Sequence, residues 1–255
     1  MVTIGLPVYN GEQWIRKAIE SIQAQTYADW ELIVADDGSE DGTKDILSEL
    51  GVRSEELGVR FRVIADGRHL GIAARLNQMV EMAHGEYFAR MDADDIMMPD
   101  RLERQVAFLN AHQEVDVVSC SAIIIDEHSE ELGVRNEALM HPTVMGKTEW
   151  FRQNPYNEDY SGVEDYELWL RVKNTANFGH IADPLMYYRE HTRYDIKKVW
   201  RDRALGIRMI WRERHLYGST WRALLQIANN ILVMGVVPVV HALHLDRWVI
   251  LRRNA

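Results

Sequence analysis

Cysteine is nearly absent: Cys120 stands alone among 255 residues. A single thiol excludes an internal disulfide framework and suits a reducing compartment. The N-terminal "MVTIGLPVYNG" has neither a basic n-region nor a long apolar h-region, so no secretory signal is read there and a cytoplasmic location is the expectation. No apolar run reaches the roughly 18–20 residues that span a bilayer; the longest, Ile231–Val240, has ten. Positive charge is scarce over most of the chain. Residues 1–192 carry 17 Lys+Arg against 35 Asp+Glu, a balance of −18. That excludes a bare nucleic-acid backbone as partner and suits a site assisted by a cation. Residues 193–255 reverse the sign, with 12 against 4, a balance of +8. A segment so charged is drawn to an anionic surface.

Apolar residues are plentiful at 47%, enough for one large α/β domain with an appendage. "VTIGL" (2–6) reads as a buried strand, followed by the turn-like "PVYNGE". Ile15, Ala18, Ile19 and Ile22 keep helical spacing. "ELIVA" (31–35) is a second strand, ending at "DDGSEDGT", which is dense in turn and capping residues. A helix near 43–50, a strand at 61–65, a helix at 72–83 and a strand at 87–91 follow. "PDRLERQVAFLNAH" is then a helix, and residues 115–126 a further strand. Such alternation implies a mostly parallel sheet, whose ligands sit beyond the carboxyl ends of its strands. "PVYN", "DDGS" and "DADD" each follow a strand directly and are expected to converge on one edge.

"YFARMDADDIMMPDR" crowds Asp92, Asp94 and Asp95 behind an apolar strand. Like charges so close are costly near apolar surroundings unless compensated. A metal ion, a salt bridge to Arg90 or Arg101, or water would serve. A bare "DADD" is more often a solvated turn than a metal site.

The order "PVYNGE…ELIVADDGSEDGT…GEYFARMDADDIMMPDRLERQ…HPTVM…GVEDYELWLR…YYREH" resembles family 2 glycosyltransferases of the GT-A fold, over about residues 2–191. Three departures stand out. Only "NEALM" separates "LGVR" from "HPTVM", His69 replaces the usual Asn before "LG", and "NPY" (154–156) replaces "GGY". The resemblance implies an α/β GT-A fold, Rossmann-like and flanked by helices, as a catalytic domain over 1–192. It implies a nucleotide-diphosphate sugar donor, a UDP-sugar in the first instance, and inversion at the transferred sugar. Pro7, Tyr9 and Asn10 would wall the nucleotide, and Asp37 beside Asp36 would accept hydrogen bonds from the base. Arg75 would approach the diphosphate or form an ion pair. Asp94 or Asp95 would contact Mn²⁺ or Mg²⁺, hard ions that favour oxygen, while the neighbouring carboxylate meets the ribose and Asp92 supports them. His191 would touch metal or diphosphate, and His141 would line the acceptor side. Asp165 would be the general base, with Glu164 as orienting partner or rival; the plain alternative is an acidic pair at a helix N-terminus.

Residues 193–255 interleave Arg and Lys with Trp200, Trp211, Trp221 and Trp248 around an apolar stretch at 223–245. Pro238 is expected to bend or end a helix there. The pattern suits a helical, membrane-associated extension lying on an anionic surface, at the cytoplasmic face of the inner membrane, and hence a lipid-linked or polysaccharide acceptor. A helical cap or an oligomer contact would share the pattern. Two other functions fit parts of the sequence: a sugar-phosphate nucleotidyltransferase, which would need a Gly-rich basic N-terminal loop, and a catalytically inactive membrane-docked subunit.

Overall fold

The computed structural model describes residues 1–56, 60–193, 195–246 and 249. Strands and helices alternate as the periodicity predicts: β1 (Val2–Val8), α1 (Ile15–Gln23), β2 (Trp30–Asp36), α2 (Thr43–Glu56), β3 (Phe61–Ile64), α3 (Ile72–Met82) and β4 (Tyr87–Arg90). There follow β5 (Ile96–Met97), α4 (Arg101–Ala111), β6 (Val117–Ile125), β7 (Glu131–Arg135), β8 (Met145–Lys147), α5 (Thr148–Gln153), α6 (Glu164–Val172) and β9 (Phe178–Arg189). Two long helices, α7 (Ile196–Arg212) and α8 (Thr220–Ala242), come last.

The nine strands form one sheet in the order β3-β2-β1-β4-β8-β6-β9-β5, with β7 paired to β6. Strands β1–β4 pair in parallel. β8 runs antiparallel to both β4 and β6, and β6 is parallel to β9. Six strands therefore share one direction, while β5, β7 and β8 oppose it. The carboxyl ends of β1, β2, β4, β6 and β9 accordingly lie on one edge, as the motif order requires. Both faces are covered, so β1 and β4 are buried at every position, the pattern of a two-sided core. Ile15 and Ile19 of α1, Leu47 of α2 and Leu102 of α4 pack on one face. Leu76 of α3, Phe151 of α5 and Leu168 of α6 pack on the other. The short "NEALM" passage is a direct connection, pinned where the Leu139 N–H donates to the Ser119 hydroxyl at 3.0 Å.

Helices α7 and α8 fold back as a hairpin through Gly218, whose φ of 74° suits a residue without Cβ. Asp195 and Ser219 cap their N-termini. A third apolar cluster seats the hairpin: Met209 and Ile210 of α7 and Ala223 of α8 bury against Tyr160, with Val163 and Leu170 beside them. Of the two expected effects of Pro238, bending or ending the helix, ending does not occur. Proline removes the N–H that would satisfy the carbonyl four residues back. Here that carbonyl belongs to Met234, and the Trp200 indole N–H of α7 donates to it at 3.0 Å. The neighbouring helix supplies the missing donor, and α8 continues to Ala242. Trp248 and the closing basic residues fall outside the described part.

Trp200→Phe is expected to destabilise the protein by about 1 kcal/mol, the cost of orphaning a partly buried acceptor. In a Pro238→Ala background the loss should shrink, because residue 238 regains its N–H. Urea denaturation of the four-member cycle measures this, and an equal loss in both backgrounds would contradict the compensation.

Candidate active site

The acidic cluster begins where β4 ends. Asp92, Asp94 and Asp95 each present an oxygen to one point, these atoms lying within 4.8 Å of one another. Arg90 answers the charge problem posed by the sequence. Only 2% exposed, it grips Asp92 with both terminal nitrogens, at 2.8 and 2.5 Å. Arg101 makes no salt bridge to the cluster among the described residues and acts on Asp95 only electrostatically. Its buried guanidinium donates to the Arg90 carbonyl and to Gln105, and burial lowers its pKa to about 10.

Among the described residues no side-chain cation lies in salt-bridge contact with Asp94 or Asp95, although the Arg189 guanidinium acts electrostatically on both. Asp95 Oδ1 accepts the Arg189 backbone N–H at 2.8 Å, while its buried Oδ2 has no partner. Burial, followed by the charges of Asp94 and Asp92, pushes the Asp95 carboxyl well above the usual range. Asp94 is raised too, by burial and then by Asp92. Arg189 braces the loop: its guanidinium donates to the Asp94 carbonyl at 2.9 Å and lies 4.0 Å over the Trp14 ring. Sequence reasoning singled out His191 in "YYREH" and passed over Arg189, two residues earlier.

A cleft of about 300 Å³ opens onto this cluster, lined by Pro7, Tyr9, Asn10 and Trp14 on one side and Asp92, Asp94 and His191 on the other. Residues drawn from three separated motifs thus meet. The Asn10 side chain is already committed, accepting the Glu40 N–H at 2.9 Å and tying the turn after β1 to the loop after β2.

Asp36 and Asp37 close β2. Asp36 is fully buried; Oδ1 accepts the Ser39 N–H and Oδ2 has no partner. Asp37 is surrounded by donors: Leu70 N–H (2.7 Å), Gly71 N–H (3.0 Å), Arg75 Nε (2.9 Å) and His69 Nδ1 (3.1 Å). A role as base acceptor would require displacing one of them, and exposed His69 is the most accessible of the four. Of the two expected roles for Arg75, the structure shows the ion pair, buried rather than on the surface. Wholly buried, it is spent on Asp37, Asp66, Gln78 and the Arg68 carbonyl, and it holds Asp66 down at about 2. Above this brace the exposed rings of Tyr9 and His69 lie 4.5 Å apart, tilted by 53°.

The second carboxylate group opens α6. Glu164 is buried, whereas Asp165 keeps 38% of its side chain exposed. Each accepts a local backbone N–H, from Gly162 and Tyr166 respectively, which holds both at the helix N-terminus. His141 Nδ1 lies 3.7 Å from Glu164 and 4.0 Å from Asp165, and its Nε2 is 3.0 Å from the Tyr156 hydroxyl. Burial and nearby Arg90 hold the His141 pKa well below its usual value. Burial thus favours the neutral imidazole, in which these contacts are polar rather than ionic. Burial and then the Asp165 charge raise Glu164 to about 7; burial also raises Asp165. Tyr156 comes from "NPY", the departure from the family pattern, and had no signal marking it as the partner of His141. Arg90 acts electrostatically on Asp94, Asp95, Glu164 and Asp165 alike.

The profile of glycosyl transferase family 2 matches residues 3–167. Putative glycosyltransferase EpsE of Bacillus subtilis is 35% identical over 205 residues, covering 73% of this chain and 71% of the relative. UDP-Glc:alpha-D-GlcNAc-diphosphoundecaprenol beta-1,3-glucosyltransferase WfgD of Escherichia coli is 27% identical over 193 residues, covering 71% and 73%. Among solved structures, mannosyltransferase PcManGT of Pyrobaculum calidifontis, in complex with GDP-Man and Mn²⁺, shares the fold at a TM-score of 0.63. It is 19% identical, with 92% of this chain and 75% of that one covered.

Glu164 predicts a pH-dependent stability. Its folded pKa of about 7 lies above the ordinary 4.5, so below 4.5 both states are protonated and burial carries no charge penalty. The penalty grows as pH rises through that interval and is complete above about 7. Glu164→Gln is expected to exceed the wild type in stability by about 1–3 kcal/mol at alkaline pH and to match it in acid. Urea denaturation on either side of the interval measures the difference, and a pH-independent offset would contradict the assignment.

Proposed function

The chain belongs to glycosyl transferase family 2, and from that premise we propose an inverting, metal-assisted transfer of a sugar from a nucleotide-diphosphate donor to a hydroxyl of a lipid-linked or polysaccharide acceptor. Glycosyl transfer follows from the family and from the named relatives. The nucleotidyltransferase and inactive-subunit readings are set aside with it. One observation carries the finer reading: the buried cation Arg90 pairs with Asp92 of the cleft lining and acts electrostatically on Glu164 and Asp165 as well.

The donor is assigned to the cleft. Its base would lie against Tyr9 and His69 above Asp37, with Pro7 and Asn10 as the wall and Arg75 bracing from beneath. WfgD is named for UDP-Glc, which supports a UDP-sugar here. Asp92, Asp94 and Asp95, with His191 adjoining, fit a hard divalent cation such as Mn²⁺ or Mg²⁺. The donors are oxygens converging on one point, and the buried Asp95 Oδ2 has no other partner. When bound, such an ion would offset the charge growing on the leaving diphosphate.

On the acceptor side, half-exposed Asp165 is the general base. It takes the hydroxyl proton as the acceptor oxygen bonds to the anomeric carbon and the bond to the diphosphate breaks. One in-line displacement inverts the configuration. Buried Glu164 orients Asp165, and neutral His141 occupies the space behind both without competing for the proton.

Helix α8 supports a membrane-bound acceptor. It is long and apolar enough to cross a bilayer by length and composition, but Ala223, Asn230 and Val237 bury one side of it within the protein. Leu225, Leu232, Val236 and Val239 stay exposed at helical spacing along the other. One face on protein and one apolar face free describe a helix lying in the interface. We assign the enzyme to the cytoplasmic face of the inner membrane, held by this stripe and by basic residues of α7.

Two outcomes follow. Asp94→Asn should lose metal-dependent UDP binding by about tenfold or more, whereas Asp165→Asn should keep it and lose turnover by about 10²-fold. Calorimetric titration with Mn²⁺ and donor turnover measure these arms. Unchanged UDP affinity in Asp94→Asn would remove the metal assignment, and an inactive Glu164→Gln beside an active Asp165→Asn would reverse the roles. Second, the full-length protein should sediment with anionic vesicles, less so in high salt, since each basic residue near the surface contributes about 1 kcal/mol. The variant carrying Leu225→Ser, Leu232→Ser and Val236→Ser should stay in the supernatant. Equal sedimentation would dismiss the stripe. Truncation is the poorer test, because it bares the seam at Tyr160 and Val163.

A further inference from the structure

A crevice of about 420 Å³ lies between α7, α8 and the first turn of α6, apart from the donor cleft. Its wall on the catalytic side is Val163 and Tyr166, the residues bracketing Glu164 and Asp165. Val199, Val233 and Val237 make it apolar along the hairpin, and Asp202, Arg203 and Asn230 give it a polar end.

The charges at that end are not balanced. Asp202 pairs with Arg201 at 3.0 Å. Arg203 donates to the neutral amide oxygen of Asn230 at 3.1 Å, and it has no carboxylate partner among the described residues. Asn230 is itself buried and held by the Gln226 carbonyl, so it fixes the guanidinium without neutralising it. Gly206 also lines the crevice, and a Cβ added there would meet only Asn230 Oδ1, at 3.7 Å. The missing side chain leaves the space open.

An uncompensated cation beside an apolar channel matches an anion on a hydrocarbon chain. The channel runs into α8, whose opposite stripe faces outward, and it ends at the turn carrying the base. We propose that this crevice binds the phosphate-bearing lipid stem of the acceptor, with the phosphate on Arg203 and the chain along Val233 and Val237, so that the acceptor sugar is delivered to Asp165. This rests on the glycosyl-transfer reading above and names its acceptor as a sugar on a lipid phosphate. Arg203 and Gly206 are then positioning and specificity residues outside the reacting atoms.

The test uses full-length protein and farnesyl phosphate as probe, with farnesol and dihexanoyl phosphatidate as comparisons, by calorimetric titration. Farnesyl phosphate should bind about tenfold more tightly than farnesol, the difference one charge-assisted contact makes. Gly206→Leu, which fills the crevice, and Arg203→Gln, which removes the charge, should each weaken it by about tenfold. Both should bind UDP with Mn²⁺ as the wild type does. Arg203→Gln keeps the question open to refutation should Gly206→Leu fail to fold. Wild-type affinity for farnesyl phosphate in the folded variants would overturn the proposal. So would phosphatidate binding as tightly, which would make the crevice a general headgroup site. Crevice binding without UDP binding would overturn the donor reading and leave the lipid site standing; UDP binding without crevice binding overturns the crevice alone.

Discussion

One buried guanidinium organises the active centre. Arg90 ends β4 inside the protein, where an isolated charge would be costly. Two contacts to Asp92 satisfy most of that requirement, and Arg101 fixes the Arg90 carbonyl from behind. The arrangement neutralises one carboxylate out of three. Asp94 and Asp95 stay electrostatically unfavourable even so: Arg189 acts on both, but its bonds run from its backbone to Asp95 and from its guanidinium to the Asp94 carbonyl, not to a carboxylate as an ion pair. A site of this kind favours whatever brings positive charge to it. Glu164 and Asp165, on which Arg90 also acts, are likewise held above the usual carboxylate range, and burial of His141 disfavours the imidazolium charge that would offset them. The shortage of cations that marks residues 1–192 as a whole is thus concentrated at the sheet edge.

Much of this was legible in the sequence, for a physical reason. Strands covered on both faces and helices with one apolar stripe write their period into the chain, so β1, β4, α1 and α3 were placed within a few residues. Shared strand direction then forces the segments after β1, β2 and β4 onto one edge, and Tyr9, Asp92 and His191 do line one cleft. What escaped depends on partners far away in sequence. Asp37 is held by donors more than thirty residues on, and nothing local to "DDGS" reports them. Arg75 was open to either a ligand or an ion pair, because Asp66 and the Arg68 carbonyl, which decide for the ion pair, carry no motif. Tyr156 and Arg189 are ordinary residues until folding sets them beside His141 and Asp95.

The hairpin of α7 and α8 belongs to the same machine as the sheet. Its seam runs through Tyr160, whose hydroxyl donates to Glu213 at 2.9 Å, and through Val163, one residue before Glu164. The turn that presents the carboxylate pair is therefore packed on one side by the catalytic core and on the other by the basic extension. A shift of the hairpin would move the start of α6 with it, because the two share buried contacts rather than a flexible tether.

The bond from Trp200 to the Met234 carbonyl constrains how α8 could meet lipid. A lone α8 threaded through hydrocarbon would carry an orphaned carbonyl opposite Pro238, at a cost of several kcal/mol with no water to relieve it. Keeping the bond means bringing α7 along, and α7 carries arginines and lysines that resist leaving water. On the proposed membrane-associated reading, the indole would act as a latch against insertion. The two-helix hairpin, rather than α8 alone, would then be the unit that partitions, and α8 would lie flat.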